Sequence, residues 1–331
     1  MQKFRKTIYV LFLIIGALAA LCSLLSVFRN SDIRYFKMLD FPRIQFFITS
    51  VFSLIILAIT IRKKKWYDIV IILGLVGGLL VNGSFLINYT FLVSKTVPTA
   101  TLITSSDTQL SLLLVNVKMK NRDSEKLIDI IERKKPDIIL AMEVNKWWDN
   151  ELKTIQAEYP YIHETINDVA YGMTLYSKFP LNNIDVDYLH NKNVPSFECK
   201  IALAHDKIIS FHSIHPVPPT HFQEYPDNAG QKEVAMKKLG EEIKAETLPI
   251  IVAGDLNDVV WSYVDQLTGT EGIIHDVREG RDFYNSYNAK HFYMRWPLDH
   301  VFVSKEFRLK KIERLPKIGS DHFPVYVELV L

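Results

Sequence analysis

The sequence predicts a layered α/β sandwich preceded by about three transmembrane helices, and three observations carry that expectation. Long apolar runs crowd residues 1–93. From Gln109 onward, short β-rich runs alternate with amphipathic stretches. Polar and ionisable residues recur where those short runs stop.

The first apolar run, Ile8 to Phe28, is interrupted only by small Gly and Ser. At about 1.5 Å of rise per residue it crosses a hydrocarbon core of about 30 Å. A second run covers 44–61 and a third 68–93, the last containing Gly74, Gly77, Gly78, Asn82 and Asn88. A cleaved signal peptide is the alternative for the first run, since Lys3, Arg5 and Lys6 precede it, but its apolar length is excessive and two more runs follow. The Asn88-Tyr89-Thr90 triplet falls inside the third run and reads as chance rather than a glycosylation site. With the N-terminus inside, the short connections place 7 Lys and Arg inside and 5 outside, the compact Arg62–Lys65 cluster weighing most. That balance favours an extracytoplasmic C-terminal domain by a narrow margin. Residues 94–109, rich in Ser and Thr with Pro98, read as an exposed linker to a domain spanning 110–331.

Charge separates the two parts. Residues 1–110 carry 12 Lys and Arg against 4 Asp and Glu, leaving 27 and 33 for the rest, so a net +2 hides a part near +8 and another near −6. A negative soluble domain lacks the broad basic footprint behind most non-specific nucleic-acid affinity, which lowers the weight of DNA as substrate. Cys199 is alone in that domain, so no disulfide forms within it.

In the soluble part, Leu110 to Val117 is short and β-rich enough for a buried strand. Asp123 or Ser124 can cap a helix burying Leu127, Ile128, Ile130 and Ile131, which Pro136 stops before a strand from Ile138 to Met142. Further strands are expected at 172–177, 200–203, 207–214, 249–253, 298–303 and 323–329, with an amphipathic helix from Gln231 to Glu246. Strands both adjacent and separated by helices fit a layered sandwich better than a strict parallel α/β repeat.

The polar residues at the strand ends are Asn116, Glu143, His215, Asp255 with Asn257, Asp299 with His300, and Asp321 with His322. A strand end presents a side chain to solvent at a fixed position, which a preorganised hydrolytic site requires. Taken singly, each has an ordinary reading: Gly254 to Asn257 as a turn, an Asp-His pair as coincidence, His212 as a hydrogen-bonded strand residue. Recurrence in order at successive strand ends is what coincidence does not supply.

These segments resemble the endonuclease/exonuclease/phosphatase superfamily over about residues 109–331. The resemblance rests on the strand ending in Asn116, PDIILAMEV through Glu143, YGMTLYSKFPL from Tyr171, SIHPVPP around His215, GDLND from Gly254, LDHVFVS around Asp299 and the terminal GSDHFPV. GDLN and SDH are the most diagnostic. The apolar leader with IHPVPP looks most like the bacterial multi-pass members. The resemblance implies a four-layered α/β sandwich of the deoxyribonuclease I type. It also implies that Glu143 binds Mg²⁺ or Mn²⁺ with Asn116 and Asp321 beside it, oxygen donors suiting hard ions. Asp255 would orient or activate water, Asn257 would steady the phosphate, and His322 held by Asp299 would act as base or transition-state stabiliser. His215 would contact the phosphate or protonate the leaving oxygen.

One departure stands out: abasic-site endonucleases carry an acidic residue two positions after the asparagine, where this chain has Lys118. That argues against a second carboxylate ligand there and against abasic-site repair. His300 is a neighbour without an assigned role. Aromatic residues between the motifs, among them Tyr287, Phe292, Tyr293 and Trp296, read as packing. The leading expectation is a membrane-anchored phosphodiesterase or phosphomonoesterase, with a small or lipid-linked phosphoester as substrate and the bilayer as its anchor. A nuclease ranks second, and a non-catalytic membrane receptor or scaffold that has kept the fold is the reading of another class.

Overall fold

The structure, a computed structural model, describes residues 2–29, 34–189, 192–218, 231–262 and 268–331. Pro219, the last residue of the SIHPVPP segment, lies outside them. The chain forms two compact units, Met1–Val93 and Ser94–Leu331.

The N-terminal unit consists of α1 (Gln2–Leu25), which runs on as a 3-10 turn to Phe28, a short α2 (Arg34–Met38), α3 (Arg43–Thr60) and α4 (Trp66–Leu86). Among the described residues, three segments are long and apolar enough to cross a membrane, Gln2–Phe28, Arg43–Thr60 and Trp66–Tyr89. The last stops short of the expected Val93, because Thr90 turns the chain by donating its amide (3.0 Å) and hydroxyl (2.7 Å) to the Ile87 carbonyl. Small residues let the helices approach: a Cβ at Gly78 would stand 2.9 Å from the Ser23 Cβ. Polar groups in this apolar setting need internal partners. Tyr9 donates to Asp68 at 2.6 Å, and fully buried Arg43 reaches Ser26 Oγ (3.0 Å), Asn82 Oδ1 (3.2 Å) and the Asp40 carboxylate.

Two six-stranded sheets make the C-terminal unit. In the first, β1 (Gln109–Asn116), β2 (Ile138–Met142), β3 (Tyr161–Thr165), β4 (Met173–Ser177), β11 (Arg308–Arg314) and β12 (Val325–Val330) lie in the order β11-β12-β1-β2-β4-β3. In the second, β5 (Leu181–Asp187), β6 (Ser196–Ala202), β7 (Ile208–Ser213), β8 (Ile250–Asp255), β9 (Ile274–Asp276) and β10 (Asp299–Ser304) lie in the order β5-β6-β7-β8-β10-β9. Each sheet has one parallel pair, β1 with β2 and β7 with β8. The chain between the members of each pair holds a helix, α5 (Glu125–Lys134) and α7 (Gln231–Ala245) respectively, as parallel neighbours require.

Alternation along the strands builds the layers. Leu112, Leu114 and Leu140 point between the sheets to meet Phe211, Ile251 and Val301. Leu113, Val115 and Ile139 point the other way, under α5 and α6 (Lys146–Leu152). On the far side, Ile250 and Val252 pack beneath Met236, Leu239 and Ile243 of α7. The order is helix, sheet, sheet, helix, the expected four layers.

Residues 94–109, expected as an exposed linker, are exposed at most positions, yet the segment is anchored to the C-terminal unit. Val97 is buried, Leu309 bonds both Pro98 and Ala100 through the backbone (2.8 and 2.9 Å), and Arg281 Nη2 donates to the Val97 carbonyl at 2.6 Å. The open edge of β11 supplies backbone partners that the segment's polar composition did not announce.

Candidate active site

Strand ends from both sheets meet at one place. Asn116 ends β1 and pairs in register with Met142, so Glu143 follows one position beyond. Asp255 ends β8 and lies directly opposite Asp299, the first residue of β10. His215 follows β7 by two residues, and Asp321 and His322 precede β12, the antiparallel neighbour of β1. The rest of the GDLN signature is steric as well as chemical: a Cβ at Gly254 would collide with the Ile214 carbonyl.

The inner floor is buried and closely bonded. Asn116 Nδ2 donates to Glu143 Oε1 (2.9 Å) and to Asp255 Oδ2 (3.0 Å), joining carboxylates from the two sheets. Asp255 Oδ1 accepts the Asn257 amide at 2.9 Å. His322 lies between two carboxylates, with Nδ1 2.8 Å from Asp299 Oδ2 and Nε2 3.5 Å from Asp255 Oδ2. His215 Nε2 is 3.8 Å from the same Asp255 oxygen. Nearer the mouth, Glu143 Oε2 accepts the Met119 amide at 3.1 Å, and Lys118 forms an ion pair with Asp321. Lys118, Glu143 and Asn257 all have left-handed backbones, at φ 59°, 60° and 49°. Such conformations cost energy in non-glycine residues and persist where the surroundings enforce them.

Burial and neighbouring charge divide the two histidines. Burial pushes His215 down to about 4, so its imidazole is neutral at pH 7. Burial opposes protonation of His322 as well, but Asp299 and Asp255 outweigh it and lift the group to about 10. His322 is therefore the imidazolium of the pair, a separation of the kind that assigns acid and base roles. Burial raises the Glu143 carboxyl against its bonds from Asn116 and Met119. Asp321 resists burial and is lowered, by His322 and Lys118.

All eight expected site residues come together. Asn116, expected beside the metal, has Oδ1 accepting the Lys118 amide at 2.9 Å and its nitrogen toward the two carboxylates. Asn257 Nδ2 is engaged by the Pro216 carbonyl at 3.0 Å, which holds the loop after β8. Four contributors had no assigned role in the sequence. Tyr287 and Tyr171 lie with ring centroids 5.0 Å from His322 and His215. Ser320 Oγ donates to the Asn116 carbonyl at 2.8 Å, and Arg278, locked to Asp276, donates to the Asp299 carbonyl at 3.0 Å. His300 gains one too: Nε2 sits 2.9 Å from the Asp258 carbonyl and braces the GDLND loop.

The donors fit a hard divalent ion. Candidate oxygens of Asp255 and Asp299 lie within 4.8 Å of each other beside the protonated His322, and buried Asp299 Oδ1 has no hydrogen-bond partner among the described residues. Glu143 and Asp321 add oxygen donors at the mouth, the ligand type Mg²⁺ and Mn²⁺ prefer. A second group, Glu198, His212 and Glu246, also lies within that span, but Lys200 already stands among its carboxylates, bonding Glu198, Glu246 and Ser210.

Comparison with known proteins agrees with this geometry. The model of the Endonuclease/Exonuclease/phosphatase family matches residues 113–322. The chain belongs to that family, whose members are metal-dependent phosphoester hydrolases. No curated protein matches the sequence. Among solved structures, D. rerio TDP2 complexed with single-strand DNA product superposes at TM-score 0.54, with 14% identity over 67% of this chain and 98% of that one. The endonuclease/exonuclease/phosphatase from Bacteroides vulgatus gives 0.54, 16%, 67% and 98%, and the human Nocturnin catalytic domain with bound sulfate gives 0.52, 14%, 67% and 94%. At these identities the likeness establishes the fold.

Proposed function

We propose that this protein is a membrane-anchored, Mg²⁺- or Mn²⁺-dependent phosphoesterase acting on a small or lipid-linked phosphoester outside the cytoplasm. The observation that carries the reading is the convergence of Glu143, Asp255, Asp299 and His322 on one pocket, with Asn116 tying Glu143 to Asp255. The three candidate spans and the negative soluble domain favour a membrane-proximal, non-nucleic-acid substrate. The DNA product held by D. rerio TDP2 keeps a nuclease as the second reading.

Glu143 and Asp321 would hold the cation, with Asp255 and Asp299 behind them. A divalent cation there supplies charge neutralisation at the phosphate and a more acidic attacking water. Asp255, fixed by Asn116 and the Asn257 amide, orients that water and takes up its proton. His322, held by Asp299 and protonated at neutral pH, offers Nε2–H to the charge that develops on phosphorus-bound oxygen. His215 is neutral there, so it positions the phosphate rather than protonating the leaving oxygen.

The test is hydrolysis of an aryl phosphodiester by the full chain in phosphatidylcholine nanodiscs with Mg²⁺ or Mn²⁺. Glu143→Ala and His322→Ala should each lose turnover by about 10²- to 10⁴-fold. Undiminished turnover in both would reject the assignment, and absence of both hydrolysis and Mn²⁺ binding in the wild type would favour a scaffold. Protease accessibility of residues 111–331 in intact cells tests the location, full protection reversing it.

A further inference from the structure

We propose that Lys118 is a built-in cation of the pocket, whose ammonium holds Asp321 and a substrate phosphate oxygen and confines the pocket to a single divalent ion. This rests on the phosphoesterase reading above and specifies how that site handles charge.

The placement of Lys118 is fixed by its backbone. Its left-handed turn donates N–H to Asn116 Oδ1 at 2.9 Å and accepts from the indole of fully buried Trp148 at 3.3 Å. The next amide, from Met119, binds Glu143 Oε2. One turn therefore grips the Glu143 carboxylate through its backbone and sends its own side chain across to Asp321, 203 residues away in sequence. A cation held this way is preorganised, with little freedom left to lose on binding substrate.

The ammonium also has capacity to spare. A lysine carries three N–H donors. Among the described residues only Asp321 accepts from Lys118, whose side chain is 31% exposed at the mouth. Lys200 offers the contrast within the same unit: three acceptors surround it, and its side chain is 21% exposed. Two free donors on a fixed cation beside candidate metal ligands match the non-bridging oxygens of a phosphate, which a compact ammonium binds as a point charge.

The same charge excludes a second metal. The ammonium already occupies Asp321 Oδ2, so that carboxylate has one oxygen left for the first ion and none for a further one. Changing lysine to aspartate alters the local charge by two, the charge of one divalent ion, and adds a carboxylate of the hard type such ions favour.

The experiment is a Mn²⁺ titration by calorimetry on the full chain in phosphatidylcholine nanodiscs, followed by titration of the loaded protein with inorganic phosphate. Aspartate and asparagine both tolerate the left-handed backbone at this position. The wild type should bind one ion per chain and Lys118→Asp two. Lys118→Asn should lose phosphate affinity about tenfold, and Lys118→Arg should recover most of that loss. In turnover, Lys118→Asn should raise KM more than it lowers kcat. Two ions in the wild type, one ion in Lys118→Asp, or phosphate affinity in Lys118→Asn within about twofold of wild type would each overturn the proposal. The phosphoesterase reading survives those results if hydrolysis remains metal-dependent. No Mn²⁺ binding at all in the wild type would remove both.

Discussion

Among the described residues, two clusters of histidine and carboxylate lie in the C-terminal unit, and they differ in where their positive charge comes from. Glu198, Lys200, Ser210 and His212 sit on the helix-covered face of the second sheet, opposite the face of Phe197, Cys199, Ile209 and Phe211. Cross-strand neighbours there are fixed, so Lys200 supplies the cation from within at 2.7 Å from Glu198 and 3.0 Å from Ser210. Asp255, Asp299 and His322 stand instead at strand ends, Asp255 and Asp299 as the terminal pair of β8 and β10. Among the described residues, a buried Asp299 oxygen is left without a protein partner. Similar residue types thus give a closed network on a strand face and an open one at strand ends.

The sharpest way to break this comparison is to remove one carboxylate from each cluster. Asp255→Asn should lower Mn²⁺-dependent kcat/KM on an aryl phosphodiester by about 10³-fold, since both the water-orienting group and the partner of His322 are lost. Glu198→Gln should stay within about threefold of wild type, because a partly exposed ion pair contributes mainly to stability. Comparable losses in the two variants would mean that the strand-face cluster also serves the chemistry.

The strand-end site was legible because each of its residues directly follows or precedes a run of buried apolar residues. The strand Ile138–Met142 lies where the sequence placed it, which puts Glu143 one step beyond. Edge strands were not legible: β5 is LNNIDVD and β11 is RLKKIER, both largely out of the core and so without the apolar run that reveals an inner strand. The seven-residue α6 and the three-residue β9 are too short to set a period. Within the site, residue type was readable but direction was not. Nothing in the sequence shows that the Asn116 nitrogen rather than its oxygen faces the carboxylates, or that Lys118 meets Asp321 from the other end of the domain. Arg278 gave no signal at all, its part being to hold a backbone carbonyl.

A smaller effect is expected from emptying the closed network. Lys200→Met leaves Glu198 and Glu246 without their cation, which should cost about 2 kcal/mol of stability by denaturant titration, with turnover per folded molecule retained. The pH dependence supplies an internal check. Burial works against ionised Glu246, yet Lys200 and the Leu248 and Thr247 amides hold it down at about 2, below its ordinary 4.5. A depressed carboxyl contributes stability that is present above pH 4.5 and lost as pH falls towards 2. Lys200→Met should therefore flatten that acid limb. An unchanged limb would mean that the backbone amides alone hold the carboxylate, and that Lys200 is not the cation that closes this cluster.

The smallest expected effect comes from Glu242 on α7, which faces His212 across 3.9 Å. Burial, followed by Glu198, Asp187 and Asp185, pushes its carboxyl up to about 7 from an ordinary 4.5. For a raised carboxyl the sign reverses. Its contribution to stability is fully present below pH 4.5 and disappears as pH rises through about 7, because the fold then carries a charge its surroundings oppose. Glu242→Gln should thus leave the melting temperature unchanged near pH 4 and raise it by about 2 °C at pH 8. A lower melting temperature at pH 8 would show that ionised Glu242 is held favourably, with His212 or Lys238 as its cation. The acidic surroundings of Lys200 would then be balanced more widely than by that one side chain, and the contrast with the open strand-end site would rest on burial instead of on charge.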